Sequence, residues 1–247
     1  MRIALFGTSA DPPTVGHREI LIGLAAQFDQ VWVWASDNPF KQHGASLQAR
    51  SEMLALIVTE ANHHLGDRPQ IYHYPHLSHR YTIESLKRAQ QQAQTQAPAS
   101  ASTSDSTSDS TPDSTPDSAS DFRPTFTLVV GSDLVGQLPR WYRSQELLQQ
   151  VELLIIPRPS FPLEETSLQH LQQFGTKLHI ADWQGLPVSS TAFREAGDTE
   201  PLTDLVYQFI DQHQLYPARF LSRTPSVHPP HLGSTLCLKQ PNDRPQK

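Results

Sequence analysis

Met1-Arg2-Ile3-Ala4-Leu5-Phe6-Gly7-Thr8-Ser9-Ala10-Asp11-Pro12-Pro13-Thr14-Val15-Gly16-His17 opens the chain. The apolar run Arg2–Phe6 has the length and composition of a buried strand. Small residues and two prolines then break the pattern, and from His17 to Phe28 the apolar spacing becomes helical. A strand, a small-residue turn and a helix start together offer free backbone N–H groups and the positive end of a dipole to an anion. The segment therefore reads as a phosphate cradle built from Gly7, Thr8, Ser9, Thr14, Gly16 and His17. Gly16 would let the backbone approach a ligand, His17 can present a ring N–H to a phosphate oxygen, and Asp11-Pro12 would fix the turn. Read in isolation, Gly16-His17 also fits an ordinary helix start.

Outward from this segment the same alternation continues. Strand-like runs recur at Val31–Ala35, Gln70–Tyr74, Thr125–Val130, Glu152–Ile156 and Lys177–Ala181. Helical patterns fall at Leu47–Asn62, Tyr81–Ala97, Ser144–Gln150, Leu163–Phe174, Ser190–Ala196 and Leu202–His213. Strands alternating with helices predict a Rossmann-like α/β fold, a parallel sheet with helices on both faces. Ligands in such folds bind beyond the carboxyl ends of the strands.

After the last of these strands stands Val188-Ser189-Ser190-Thr191-Ala192-Phe193-Arg194. Hydroxyl residues at a helix start, followed one turn later by an Arg that can clamp phosphate oxygens, form a second anion site. A plain Ser/Thr N-cap is the simpler reading of the same residues. Two phosphate sites at opposite ends of one chain suggest a triphosphate held between them.

Composition narrows the field. Of 247 residues 37% are hydrophobic, and the deficit is concentrated between Gln90 and Asp121 and after Ser222. The segment 97–121 is Ser, Thr, Asp, Ala and Pro, with the loose repeat Ser-Thr-Pro-Asp-Ser-Thr-Pro-Asp-Ser from Ser110 to Ser118. It cannot bury enough apolar surface to offset its ordering entropy, so a disordered insertion within a single domain of residues 1–215 is expected, with a similar tail at 221–247. A formal charge of −6 gives no basic field for a nucleic-acid backbone, and polymeric DNA or RNA is not expected as a partner. The single cysteine, Cys237, excludes an internal disulfide. The opening apolar stretch is too short for a signal peptide and no run nears the ~20 apolar residues of a membrane span, so a cytoplasmic protein without a membrane partner is expected. His73, His76 and His79 lie close in sequence but without cysteine, and a metal site is not expected there.

Taken together, these motifs resemble the nucleotidylyltransferase superfamily, which pairs a His or Thr with a Gly-His two positions later and ends on Ile-Ser-Ser-Thr followed by an Arg. The narrower resemblance is to the bacterial nicotinate mononucleotide adenylyltransferases. Asn38-Pro39-Phe40-Lys41 resembles that family's Pro-Pro-His-Lys, and Arg50-Ser51-Glu52-Met53-Leu54 its Arg-x-x-Met-Leu helix. Arg80-Tyr81-Thr82-Ile83-Glu84-Ser85-Leu86 resembles Ser-Tyr-Thr-x-Asp-Thr-Leu, and Gly131-Ser132-Asp133 with Leu138-Pro139-Arg140-Trp141-Tyr142 resembles Gly-Ala-Asp with Leu-Pro-x-Trp. The match is collinear from residue 2 to about residue 213. Thr8 replaces a second Gly, Ala10 a Phe, Thr14 the commoner His, Phe40 a His, Arg80 a Ser and Glu84 an Asp.

The resemblance implies attack by the phosphate of nicotinate mononucleotide on the α-phosphorus of ATP. A phosphate monoester is already an anionic nucleophile near neutral pH, so the task is positioning and charge neutralisation. By the same resemblance His17 and Thr14 would meet the α- and β-phosphates, Ser190, Thr191 and Arg194 the β- and γ-phosphates, and Asp133 the ATP ribose. Lys41 would meet the acceptor phosphate, with Thr82, Trp141 and Tyr142 around the pyridine ring. Mg²⁺ would bridge the triphosphate without a dedicated protein cage. On residue types alone Asp133 also fits a helix cap, Trp141 a core side chain and Lys41 a solvated charge. Two alternatives stand beside the main reading: the same chemistry on nicotinamide mononucleotide, and a catalytically silent nucleotide-binding regulatory module.

Overall fold

In the computed structural model, which describes residues 1–66, 70–96 and 124–217, β1 (Arg2–Thr8) lies at the centre of the sheet. Its flanking elements are α1 (Val15–Ala25), β2 (Gln30–Ala35), α2 (Leu47–Leu65), β3 (Ile71–His73) and α3 (Thr82–Gln96). Beyond residue 124 come β4 (Thr125–Gly131), α4 (Ser144–Gln150), β5 (Glu152–Ile156), α5 (Glu165–Gln172), β6 (Leu178–Ile180), α6 (Ser190–Ala196) and α7 (Asp204–Gln212). The expected 97–121 insertion and 221–247 tail lie outside the described residues.

The six strands form one sheet in the order β3-β2-β1-β4-β5-β6, with every pairing parallel. This is the doubly wound Rossmann-like arrangement, and it puts the reversal of strand order between β1 and β4. At such a reversal the connections leave in opposite directions and a crevice opens beyond the carboxyl ends. Thr8 and Gly131, the last residues of β1 and β4, stand at its floor.

The two faces of the sheet are read off alternate residues, as period-2 side-chain direction requires. Ala4, Phe6, Val31, Val33, Val129, Leu154 and Ile156 pack with Leu21, Leu24, Met53, Leu54, Ile57, Phe193, Val206 and Ile210, so α1, α2, α6 and α7 cover one face. Ile3, Leu5, Trp32, Trp34, Phe126, Leu128, Val130, Leu153 and Ile155 pack with Ile83, Leu86, Ala89, Leu147, Leu148 and Leu171 of α3, α4 and α5 on the other. Burial on both faces is why these strands read as continuous apolar runs.

Several boundaries differ from the sequence expectation. Helix α1 begins at Val15, because Thr14 is its N-cap with extended backbone, and His17 is therefore its third residue. Two 3₁₀ segments, Pro75–Leu77 and Ser132–Arg140, were not foreseen; Gly136 and Pro139 keep the second from continuing as an α-helix.

Candidate active site

The β1–α1 turn holds His17 by three contacts. The Thr14 backbone N–H donates to Nδ1 at 3.0 Å, Thr14 Oγ1 lies 3.0 Å from the same nitrogen, and Thr8 Oγ1 lies 3.0 Å from Nε2. A backbone N–H can only donate, so Nδ1 is the unprotonated acceptor and Nε2 carries the hydrogen. Burial, reinforced by the charge of Arg158, lowers the imidazole pKa to about 4. The ring is thus a neutral donor, its N–H directed at Thr8 at the end of the central strand.

Arg158 is the site residue that the sequence reading missed. It follows β5, and its guanidinium lies 3.3 Å from Asp133 Oδ2 and 3.5 Å from the Val188 carbonyl. Its backbone N–H donates to Ser132 Oγ at 2.9 Å, which ties the ends of β4 and β5 together. Asp133 lies in the first turn of the 3₁₀ segment, and a Cβ at Gly131 would collide with its Oδ1, so a side chain at Gly131 would displace this carboxylate. The only local hint in the sequence was an Arg-Pro pair just after a strand.

The start of α6 docks on the same turn. Ser189 caps the helix, accepting from Ala192 N–H at 3.1 Å. Ser190 Oγ donates to the Pro12 carbonyl at 2.7 Å, and Arg194 donates a short hydrogen bond to the Asp11 carbonyl. Arg194 also donates to Thr191 Oγ1 at 3.2 Å and lies 3.8 Å from Asp11 Oδ2. Gly16 faces this docking segment: an added Cβ would sit 2.7 Å from Val188 Cγ2. Gly7 likewise faces the Trp34 indole, 2.8 Å from where its Cβ would be. Both glycines thus have a packing role in addition to any part in ligand approach.

Asp11 and Arg50, buried at 1% exposure each, hold the mouth of the turn in shape. Asp11 accepts from the N–H groups of Gly44 at 2.8 Å and Ala45 at 3.2 Å and from the Tyr216 hydroxyl at 2.7 Å. Arg50 donates to the carbonyls of Ser9 at 2.7 Å, Ser36 at 2.9 Å and Ala45 at 3.3 Å. Lys41, on the loop so held, reaches Ser9 Oγ at 3.3 Å. The ends of β1 and β2, the Lys41 loop and the α6 start therefore form one connected polar group.

Thr82, Trp141 and Tyr142 belong to a second group. Thr82 is the first residue of α3, Trp141 is half-buried against the α3–α5 face of the core, and the exposed Tyr142 packs on Tyr81 with ring centroids 4.3 Å apart. The Arg80 guanidinium lies 5.5 Å from the Tyr81 ring centre. His73 meets Ser51 Oγ at 3.0 Å, and His79 Nδ1 accepts from Tyr81 N–H at 3.1 Å. Among the described residues no group of three or more His, Cys, Asp or Glu could hold a metal ion, and no helix is long and apolar enough to cross a membrane.

Arranged this way, the crevice between β1 and β4 carries a neutral imidazole donor, two guanidinium groups and a helix start, which suits a polyphosphate. Residues 5–196 match the family described as cytidylyltransferase-like. A probable nicotinate-nucleotide adenylyltransferase of Synechocystis sp. is 39% identical over 228 residues, 87% of this chain and 99% of that protein. The nicotinate-nucleotide adenylyltransferase of Bacillus subtilis is 24% identical over 227 residues, 87% of this chain and 98% of that protein. Among solved structures, a Plasmodium falciparum nicotinic acid mononucleotide adenylyltransferase complexed with NaAD superposes with a TM-score of 0.61, covering 87% of this chain and 97% of that one. At 18% identity that likeness is one of fold. The match over 5–196, with a collinear relative at 39% identity, makes this chain a member of the cytidylyltransferase-like family of nucleotidylyltransferases.

Proposed function

We propose that this chain transfers the adenylyl group of ATP to nicotinate mononucleotide, giving nicotinate adenine dinucleotide and pyrophosphate. The observation that carries the reading is His17, fixed as a neutral Nε2–H donor at the strand reversal while the α6 start is bonded to the same turn through Ser190 and Pro12. The names of the relatives that match nearly end to end supply the acceptor.

In the proposed reaction an oxygen of the acceptor phosphate forms a bond to the α-phosphorus, and the bond to the pyrophosphate oxygen breaks. Charge then accumulates on the leaving pyrophosphate. His17 Nε2–H and the α1 start would stabilise it on one side, with Thr191 and Arg194 on the other, while the Thr14 hydroxyl beside His17 Nδ1 and the Ser190 hydroxyl on the Pro12 carbonyl would hold those groups in place. Gly7, Thr8, Ser9 and Gly16 line the turn, Asp133 would hold the ribose, Lys41 the acceptor phosphate, and Thr82, Trp141 and Tyr142 the pyridine ring. The indole face offers stacking to a flat heteroaromatic. A Mg²⁺ carried by the triphosphate would need no carboxylate cage from this chain, and it would supply charge neutralisation at the phosphates beside Arg194 and His17.

Pyrophosphate release by the full chain, measured with ATP and Mg²⁺ and with nicotinate or nicotinamide mononucleotide in separate reactions, tests the proposal. Release with a higher kcat/KM for nicotinate mononucleotide is the expected result. A higher value with nicotinamide mononucleotide replaces the acceptor. ATP binding without release in either reaction overturns the activity in favour of a regulatory module.

A further inference from the structure

Tyr216 lies 205 positions from Asp11 along the chain, yet its hydroxyl meets Asp11 Oδ1 at 2.7 Å. Its backbone is left-handed, with φ 66, and Gln214 shares that conformation with φ 49. Non-glycine residues hold such geometry only where the surroundings enforce it. Here the two positive-φ residues turn the chain back after α7 so that the Tyr216 ring stands edge-on to Phe193 of α6, centroids 5.2 Å apart. The ring also fills the space beside Gly44, whose added Cβ would lie 2.6 Å from it. One side chain therefore touches the β1–α1 turn, the Lys41 loop and α6.

The Asp11 carboxylate is shared. Oδ1 takes the Tyr216 O–H and the Ala45 N–H, while Oδ2 takes the Gly44 N–H and faces His43 Nδ1 at 3.6 Å and Arg194 at 3.8 Å. Burial and the neighbouring carboxylate raise the Tyr216 pKa, so the phenol stays a donor. Arg194 sits beyond hydrogen-bond distance of the carboxylate and keeps 30% of its side-chain surface exposed.

We propose that Tyr216 is a positioning residue for the polyphosphate grip: its O–H occupies the Asp11 carboxylate that would otherwise draw in the Arg194 guanidinium, and so leaves Arg194 available to the bound anion. The proposal rests on Arg194 being an ATP contact. Removing the hydroxyl leaves a buried carboxylate short of one donor; His43, at 3.6 Å, has its pKa lowered by burial, so the charged group left to compensate is the partly exposed Arg194 at 3.8 Å.

Isothermal titration of ATP into the full chain reads this directly, without an acceptor. Y216F keeps the ring against Phe193 and Gly44, and its ATP Kd is expected to rise about tenfold with the melting temperature little changed. In an R194A background the same substitution is expected to leave the ATP Kd within about twofold. An unchanged Kd for Y216F, an equal loss in the R194A background, or a Y216F protein that no longer folds overturns the proposal, the last by making the hydroxyl a structural support. Wild-type chain that binds ATP without turnover would sink the proposed activity and leave these Kd comparisons standing. Wild-type chain that does not bind ATP would overturn both.

Discussion

The Thr14 backbone N–H donates to His17 Nδ1 at 3.0 Å, and this bond determines which imidazole nitrogen offers its hydrogen to a ligand. Thr14 is the N-cap and His17 the third helical residue, so the side chain satisfies a backbone donor that the helix itself leaves unpaired. His17→Asn keeps an acceptor near the Nδ1 position and removes the Nε2 donor. It is expected to lower kcat by ~10²–10³ while changing the ATP Kd by less than about tenfold, since the lost donor acts mainly on charge that develops in the reaction. Steady-state kinetics with titration calorimetry check this; a change confined to Kd would mean that His17 only binds.

The lowered pKa of His17 also has a sign. In the unfolded chain the ring titrates at 6.5 and in the folded protein at about 4, so the folded state holds fewer protons between these values. Its contribution is complete above pH 6.5 and is lost as pH falls through 4, amounting to at most about 3 kcal/mol. Burial lowers the His43 and His73 pKa values as well, so the comparison must be between wild type and His17→Asn. Chemical denaturation across pH 7 to 4 is expected to give a shallower pH slope for the variant. Because the charge of Arg158 adds to burial in lowering this pKa, Arg158→Gln is expected to raise it, followed by NMR of the imidazole resonances. An unmoved His17 titration would place Arg158 electrostatically outside the site.

How much of this was legible in the sequence depends on sequence distance. The strands at Arg2, Val31, Thr125 and Glu152 and the hydroxyl cap at Ser189 are local patterns that the structure has where their period or capping chemistry put them, while the turn expected from Gly7 to Gly16 is shorter, because β1 runs to Thr8 and α1 starts at Val15. The pairing of β1 with both β2 and β4 depends on long-range contacts that no window contains. Arg158 resembled any solvated loop arginine until β5 carried it to Asp133. Asp11 read as a turn residue, although its burial and its partner Tyr216 come from the other end of the domain. The 3₁₀ segment after β4 escaped because Gly136 and Pro139 read as breakers, although Leu134, Val135 and Leu138 are spaced as on a helix.

Arg50 tests whether the mouth of the site is held together by one buried side chain. Its guanidinium joins Ser9, Ser36 and Ala45, three backbone carbonyls on separate segments, at 1% exposure. Arg50→Met retains much of the volume and leaves those acceptors to find water or remain unpaired. A loss of about 3 kcal/mol is expected, which for a chain of this size corresponds to about 6–12 °C in melting temperature. Calorimetry of the variant reads it; a shift below about 2 °C would show that water replaces the guanidinium at little cost.

Gly16 and Val188 couple the two ends of the site by shape alone. A Cβ at Gly16 would lie 2.7 Å from Val188 Cγ2, and the branched valine has little freedom to move aside. Gly16→Ala is therefore expected to push the segment before α6 outward, costing about 1–3 kcal/mol and weakening ATP binding. Val188→Ala removes the obstructing methyls at its own smaller cost. If the clash is the cause, G16A/V188A will be more stable than the sum of the single losses predicts, with a coupling of about 1 kcal/mol or more by denaturant titration. Additive losses would move the need for glycine from packing to the backbone's approach to the ligand.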